Sequence, residues 1–235
     1  MIHFYSKNKR WCEFVQNTFQ HIPNITIENI DIRKLKKENS IFVSPSNSLI
    51  RMEGGIDRII SREIFPKIDK KCRKFIRSLA IVHQTNYILP VGSSIFVEVP
   101  NENSGLILSP TMYNSSNISH TKNPYISLLS SLLLFKRMNE YKEKNGERVY
   151  ERIYITGHGC GNGGMSLQRS IDQFYQAYQD FIENKIPKEL SYINCKNIPI
   201  HTFILLEYEE EIKKYEIDEN EVKTIRISKD YQLEY

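Results

Sequence analysis

Ile153-Tyr154-Ile155-Thr156-Gly157-His158-Gly159-Cys160-Gly161-Asn162-Gly163-Gly164-Met165-Ser166 is the stretch that decides how this chain folds. Arg152 to Ile155 has the apolar makeup of a buried strand, and Met165 to about Asn184 repeats apolar side chains at helical spacing. Between them, five of the chain's 10 glycines fall within eight positions, 157 to 164. Glycine lets the backbone come close to a bound group. Successive N–H groups in such a turn, backed by the partial positive charge of a helix start, suit an anionic diphosphate. No Gly-Lys-Ser/Thr follows, so the loop is not a Walker A sequence. It lies too late in the chain to fit a dinucleotide fingerprint well.

The rest of the chain alternates short apolar runs with helical patterns, the signature of an α/β fold. Strands are expected over 1–5, 25–30, 40–43, 95–99, 106–108, 152–155 and 201–206. Helices are expected over 11–19, from Gly54-Gly55 to about Phe65, from Pro66 to about Leu79, and over about 124–140, where Pro124 suits a first turn. The cluster Leu128-Leu129 with Leu132-Leu133-Leu134 reads as a helix core face. One domain over 1–206 accounts for these elements. Residues 207–235 form a charged extension that adds an edge strand or stays mobile.

With 235 residues, 40% of them hydrophobic and 26% charged, the chain is long enough for one buried core. Its 32 Lys+Arg against 28 Asp+Glu are scattered, not gathered into the basic stripe of a nucleic-acid binder. The four cysteines, Cys12, Cys72, Cys160 and Cys195, show neither zinc spacing nor a disulfide framework. No apolar run approaches the roughly 20 residues of a membrane span, and the first residues lack a signal-peptide pattern. A cytoplasmic protein with no metal, no cofactor, no nucleic acid and no membrane partner is expected.

Two further segments place polar residues at strand ends, where open α/β sheets bind ligands. Ser44-Pro45-Ser46-Asn47-Ser48 leads, through Leu49-Ile50-Arg51, to Met52-Glu53-Gly54-Gly55-Ile56-Asp57. A buried strand delivers Asn47 to a loop, and Asp57 falls in the first turn of the next helix. Turn chemistry and helix capping are the bland alternatives for these residues. In Asn29-Ile30-Asp31-Ile32 the acid at a strand end is able to accept from an exocyclic amine, although acids at strand ends are common.

Taken together, these segments resemble the macro domain family, in the branch found in phages, bacteria and large viruses. The resemblance covers about residues 1 to 206. It rests on Ser44 to Ser48 with Met52 to Asp57, then Val91-Gly92-Ser93-Ser94, Ser109-Pro110-Thr111-Met112, Thr121-Lys122-Asn123-Pro124-Tyr125 and Gly157 to Gly164, in that order. It implies a three-layer α/β/α fold with a central mixed sheet of about six strands, and ADP-ribose as ligand. It implies that Asp31 recognises the adenine amine, with Ile32 beside it. Asn47 would bind the distal ribose, with Ser46 next to it, and Gly54 and Gly55 would form the first phosphate turn. Thr156, Gly157, His158, Gly159, Cys160, Gly161, Asn162, Gly163 and Gly164 would form the second. Asn47 and Asp57 would be the catalytic pair, orienting or activating water. Two departures stand out: Ser44 replaces an Asn common in the family, and Met52-Glu53 replaces part of a glycine run.

Other polar residues have plainer readings. His158 either donates to phosphate or is a solvent-exposed loop residue. Cys160 reads as a packed small residue because no partner base is identifiable, and His83, His120 and His201 show no metal spacing. Tyr113 is a candidate for edging the ligand. The leading expectation is an enzyme that removes ADP-ribose from a modified side chain or a small ester. A non-catalytic reader and a structural viral protein without a working pocket are the alternatives.

Overall fold

The computed structural model describes residues 1–83, 89, 91–99, 103–185, 190–191 and 203–206. The extension 207–235, Cys195 and His201 lie outside the described residues. Eight strands and five helices are described: β1 Ile2–Tyr5, α1 Lys9–Phe19, β2 Ile25–Glu28, β3 Ser40–Ser44, α2 Gly55–Ile59, α3 Ile68–His83, β4 Ser93–Val99, β5 Ser104–Leu108, α4 Asn123–Lys144, β6 Arg152–Ile155, α5 Leu167–Ile182, β7 Leu190–Ser191 and β8 Phe203–Leu206. A short 3₁₀ turn covers Ile32–Lys34, and α2 runs on into a π turn, Ile60–Ile64.

All strands belong to one sheet, in the order β2-β1-β6-β3-β5-β4-β8-β7. The first five are mutually parallel, and β4 runs antiparallel to β5. β8 pairs antiparallel with both β4 and β7. The sheet is therefore mixed, as expected, and holds eight strands where about six were anticipated. The two-residue β7 is too short to read from sequence.

Alternation along the strands builds two cores. Phe4, Ile41, Val43, Ile107, Ile153 and Ile155 point to one face, where Trp11, Val15 and Phe19 of α1 join Ile171, Phe174 and Ala177 of α5 and the leucines of α4. Tyr5, Phe42, Leu106, Leu108 and Tyr154 point to the other, against Ile60, Ile64, Ile68, Cys72 and Ile76. Side chains of a strand face opposite sides in turn, so a sheet with helices on both faces must bury every position. That arrangement is the three-layer α/β/α.

Helix starts follow local chemistry. Asn8 caps α1 by accepting from the Trp11 N–H, and Ser166 caps α5 by accepting from that of Arg169. Pro124 sits in the first turn of α4. The N-terminal half of α4 is buried on all sides, from Asn123 to Leu134, beyond the single core face expected from its leucines. Its serines find partners inside. Ser130 Oγ lies 2.6 Å from Ser94 Oγ, and Ser127 Oγ donates to the Ser109 carbonyl at 2.9 Å. Ser109 Oγ donates back to the Ser127 carbonyl at 2.8 Å, which ties α4 to the end of β5.

Phe174 joins the first core to the glycine loop, with ring contacts to Phe4, Trp11 and His158 and no exposed surface. Phe174→Ala is expected to lower unfolding free energy by about 3–5 kcal/mol, measured by urea denaturation. A loss under about 1 kcal/mol would show that this corner is not close-packed.

Candidate functional site

β3 pairs directly with β6, with Ser40, Ile41 and Phe42 opposite Arg152, Ile153 and Tyr154. Because the two strands are parallel, the loops that follow them emerge side by side, although more than 100 residues separate them in the chain. β5 flanks β3 on its other side, and the pairing outlasts both strands. The N–H of Thr111 donates to Ser46 O at 3.0 Å and that of Ser48 to Met112 O at 2.8 Å. Three loops thus meet at one sheet edge.

They enclose a pocket of about 410 Å³, within the range of small-ligand sites. Of the residues singled out from sequence, Ser46, Asn47, Gly54, Gly55, Asp57, Thr156, Gly157, Gly159, Gly161, Asn162 and Gly163 line it. Pro45, Arg51, Glu53, Ile56, Thr111, Met112, Asn114 and Ser115 line it too and were not among the expected site residues. Those from Thr111 to Ser115 enter only because β5 lies beside β3, a pairing the order of residues does not announce.

The glycine loop forms a tight turn. The Met165 N–H donates to Gly159 O at 3.0 Å and the Gly164 N–H to Gly161 O at 3.1 Å. Among the described residues, the N–H groups of Gly159, Gly161, Asn162 and Gly163 have no acceptor. Gly159 has φ +75°, and a Cβ on Gly163 would lie 2.6 Å from Gly159 O. Side chains at these two positions would respectively strain and break the turn. At the loop's start, the indole N–H of Trp11 sits behind Gly157 with no acceptor among the described residues, 2.9 Å from where a Cβ would lie.

Asp57 is partly exposed and lines the pocket. Burial pushes its pKa up to about 6, from an ordinary 3.8, against the opposing effect of a hydrogen bond from Ser44. That bond, donated by the fully buried Ser44 Oγ to Asp57 Oδ1, is 2.5 Å long. Ser44 therefore orients the carboxylate from beneath. Ser46 Oγ is buried in the pocket wall with no partner among the described residues. Asn47 is more committed: its Oδ1 accepts from the N–H groups of Leu49 and Arg51 at 3.1 Å each, and its Nδ2 donates to Arg51 O at 3.2 Å.

The structure corrects the expectation for the His158 side chain. It is neither exposed nor aimed at the pocket. The ring has no exposed surface, stands edge-on to Phe174 with centroids 4.9 Å apart, and has Nδ1 3.2 Å from Ser127 Oγ. Burial holds it neutral, with its pKa pushed down to about 3. The apolar ring face it finds in the core outweighs the imidazole's polarity. Cys160 packs beside the same core, its thiol directed at His158 O at 3.6 Å and its pKa pushed up by burial. Neither residue, nor Gly164, nor Tyr113, lines the pocket.

Asp31 and Ile32 also stand outside the pocket lining. Asp31 caps the 3₁₀ turn by accepting from the Arg33 N–H at 3.0 Å, and Lys7 Nζ lies 3.3 Å from its other oxygen. The Arg33 N–H bond, ahead of the lysine, draws its pKa down. Ile32 is buried in the second core. Tyr5 connects this region to the pocket: its hydroxyl has no partner among the described residues, and burial, then Asp57, then Asp31 push its pKa up. Among the described residues no three His, Cys, Asp or Glu side chains gather closely enough to hold a metal, and no helix is long and apolar enough to cross a membrane.

No family model and no curated relative matches the sequence. Among solved structures, the chain is similar to the macrodomain of Mycobacterium tuberculosis DarG, at 15% identity and a TM-score of 0.48, over 65% of this chain and 88% of that one. It is also similar to Thermosipho africanus DarTG in complex with ADP-ribose, at 13% identity and a TM-score of 0.42, over 74% of this chain. The match spans half of the Thermosipho chain.

A carboxyl whose folded pKa is raised contributes stability below its unfolded value, and that contribution is lost as pH rises through the folded value. For Asp57 the window runs from 3.8 to about 6. Asp57→Asn removes the cost of the buried charge while keeping an acceptor for Ser44. Its gain in melting temperature over the parent is expected to be larger at pH 8 than at pH 4. An equal difference at both values would rule out the raised pKa.

Proposed function

We propose that this chain is a macro domain whose pocket binds ADP-ribose and removes it from a modified side chain or a small ester. The observation that carries the reading is the convergence of unengaged loop N–H groups with one partly buried carboxylate, Asp57, in a single pocket at the carboxyl edge of the sheet. Such N–H groups suit a diphosphate because they are fixed donors that need no reorientation when the anion arrives. The ordered motifs from Ser44 to Gly164 support the family, and the three-layer mixed sheet agrees with it.

In this reading the diphosphate lies along the glycine loop and the distal ribose lies toward Asp57 and Asn47. Adenine extends along the sheet edge toward Asp31, at the end of the neighbouring parallel strands β1 and β2. Above about pH 6 Asp57 is ionised and accepts a proton from water. The water oxygen bonds to the ribose carbon, the linkage to the modified group breaks, and the departing group takes up a proton. Holding the reactants in register supplies much of the acceleration.

A second reading, a reader that binds ADP-ribose without cleaving it, is favoured by Asn47. Its amide is tied to its own loop by three hydrogen bonds, which suits a structural role better than an active one.

Calorimetry with ADP-ribose, followed by release of ADP-ribose from a modified protein, separates the two. Asp57→Ala is expected to retain binding and abolish release; undiminished release would remove Asp57 from the reaction. Asp31→Ala is expected to weaken binding by about 1.5–3 kcal/mol, the value of a hydrogen bond to a charged group. Unaltered affinity there would place adenine elsewhere.

A further inference from the structure

We propose that Arg51 is the cationic partner of the ligand's phosphates and makes the pocket prefer a diphosphate to an uncharged nucleoside. This rests on reading the pocket as an ADP-ribose site. The glycine loop from Thr156 to Gly164 contains no Lys or Arg, so it offers dipoles but no full positive charge. Arg51 is the one basic side chain in the pocket lining. Arg33, Arg73, Arg148 and Arg152 are engaged by Glu63, Asp69, Glu38 and Glu151, and Arg58, Arg62 and Arg169, whose guanidinium groups likewise show no partner among the described residues, stand outside the pocket lining. Among the described residues the Arg51 side chain has no ion pair or hydrogen bond of its own.

The backbone that carries Arg51 is held in an unfavourable shape. Ile50 has φ +54° and is 1% exposed. A β-branched residue in the left-handed region is an outlier that persists only where its surroundings impose it. Here they do. The Ile50 N–H donates to Asn47 O at 2.9 Å, and Arg73 Nη1 donates to Ile50 O at 3.2 Å. The Asn47 side chain grips both the N–H and the carbonyl of Arg51. The loop is therefore a rigid mount, and what it holds at the pocket wall is a cation. Glu53, in the same wall, offsets that charge for anions in general. A bidentate guanidinium–phosphate contact gives the discrimination back to ligands whose phosphates reach Arg51.

The test is calorimetry of the parent, Arg51→Gln and Arg51→Lys against adenosine, AMP, ADP and ADP-ribose, with melting temperatures alongside. Arg51→Gln is expected to weaken ADP and ADP-ribose by about tenfold or more while leaving adenosine unchanged. Arg51→Lys should recover part of that loss. Added salt should weaken ADP-ribose binding to the parent more than to Arg51→Gln. Parent-like affinity of Arg51→Gln for ADP-ribose would overturn the proposal while leaving the ADP-ribose reading intact. Equal losses for all four ligands would also overturn it, since they would mark a collapsed loop. A parent that binds neither ADP nor ADP-ribose would remove the ADP-ribose reading, and this proposal with it.

Discussion

The parallel pairing of β3 with β6 is the constraint on which the pocket depends. Three residue pairs, from Ser40 with Arg152 to Phe42 with Tyr154, bring together two strands that the chain forms far apart. A parallel pair needs a long crossover, and here the intervening 107 residues supply two more strands, three helices and most of the second core. Closing so long a loop is entropically expensive. The burial of Ile41, Ile153, Phe42 and Tyr154 in both cores offsets that cost. Antiparallel strands would have put the two loops at opposite edges.

From that pairing the rest of the site follows. The extension of β3–β5 hydrogen bonding past the strand ends, through Ser46 and Met112, draws the loop after β5 into the wall. Ser44, the last residue of β3, then stands beneath the first turn of α2, where its hydroxyl meets Asp57. A serine reaches the carboxylate there with a short side chain. Its donation works against desolvation and keeps the acid within a usable range.

Much of this was legible in the sequence. The glycine run between an apolar run and a helical pattern marked a loop that the structure places in the pocket wall, and the alternation of short apolar runs with helical patterns marked the α/β fold. Asp57 and Asn47 belonged to a recognisable spacing with Gly54 and Gly55. What was not legible depended on neighbours. Thr111, Met112, Asn114 and Ser115 enter the wall through strand order, which local patterns do not encode. Arg51 was not singled out and Glu53 stood only as a departure from a glycine run, because the backbone around Ile50 that holds Arg51 at the wall is not a local pattern. His158 misled for a physical reason: a histidine among glycines reads as exposed, yet the glycines let the chain bend so that the ring turns inward to Phe174.

That inward turn has a consequence for how the pocket responds to its surroundings. With the imidazole sealed in the core and held neutral by burial, the glycine loop presents peptide N–H groups to the pocket rather than a titrating side chain. The acid with the raised pKa, Asp57, stands on the opposite wall. The loop's donors and that acid's protonation are therefore set by separate chemistry.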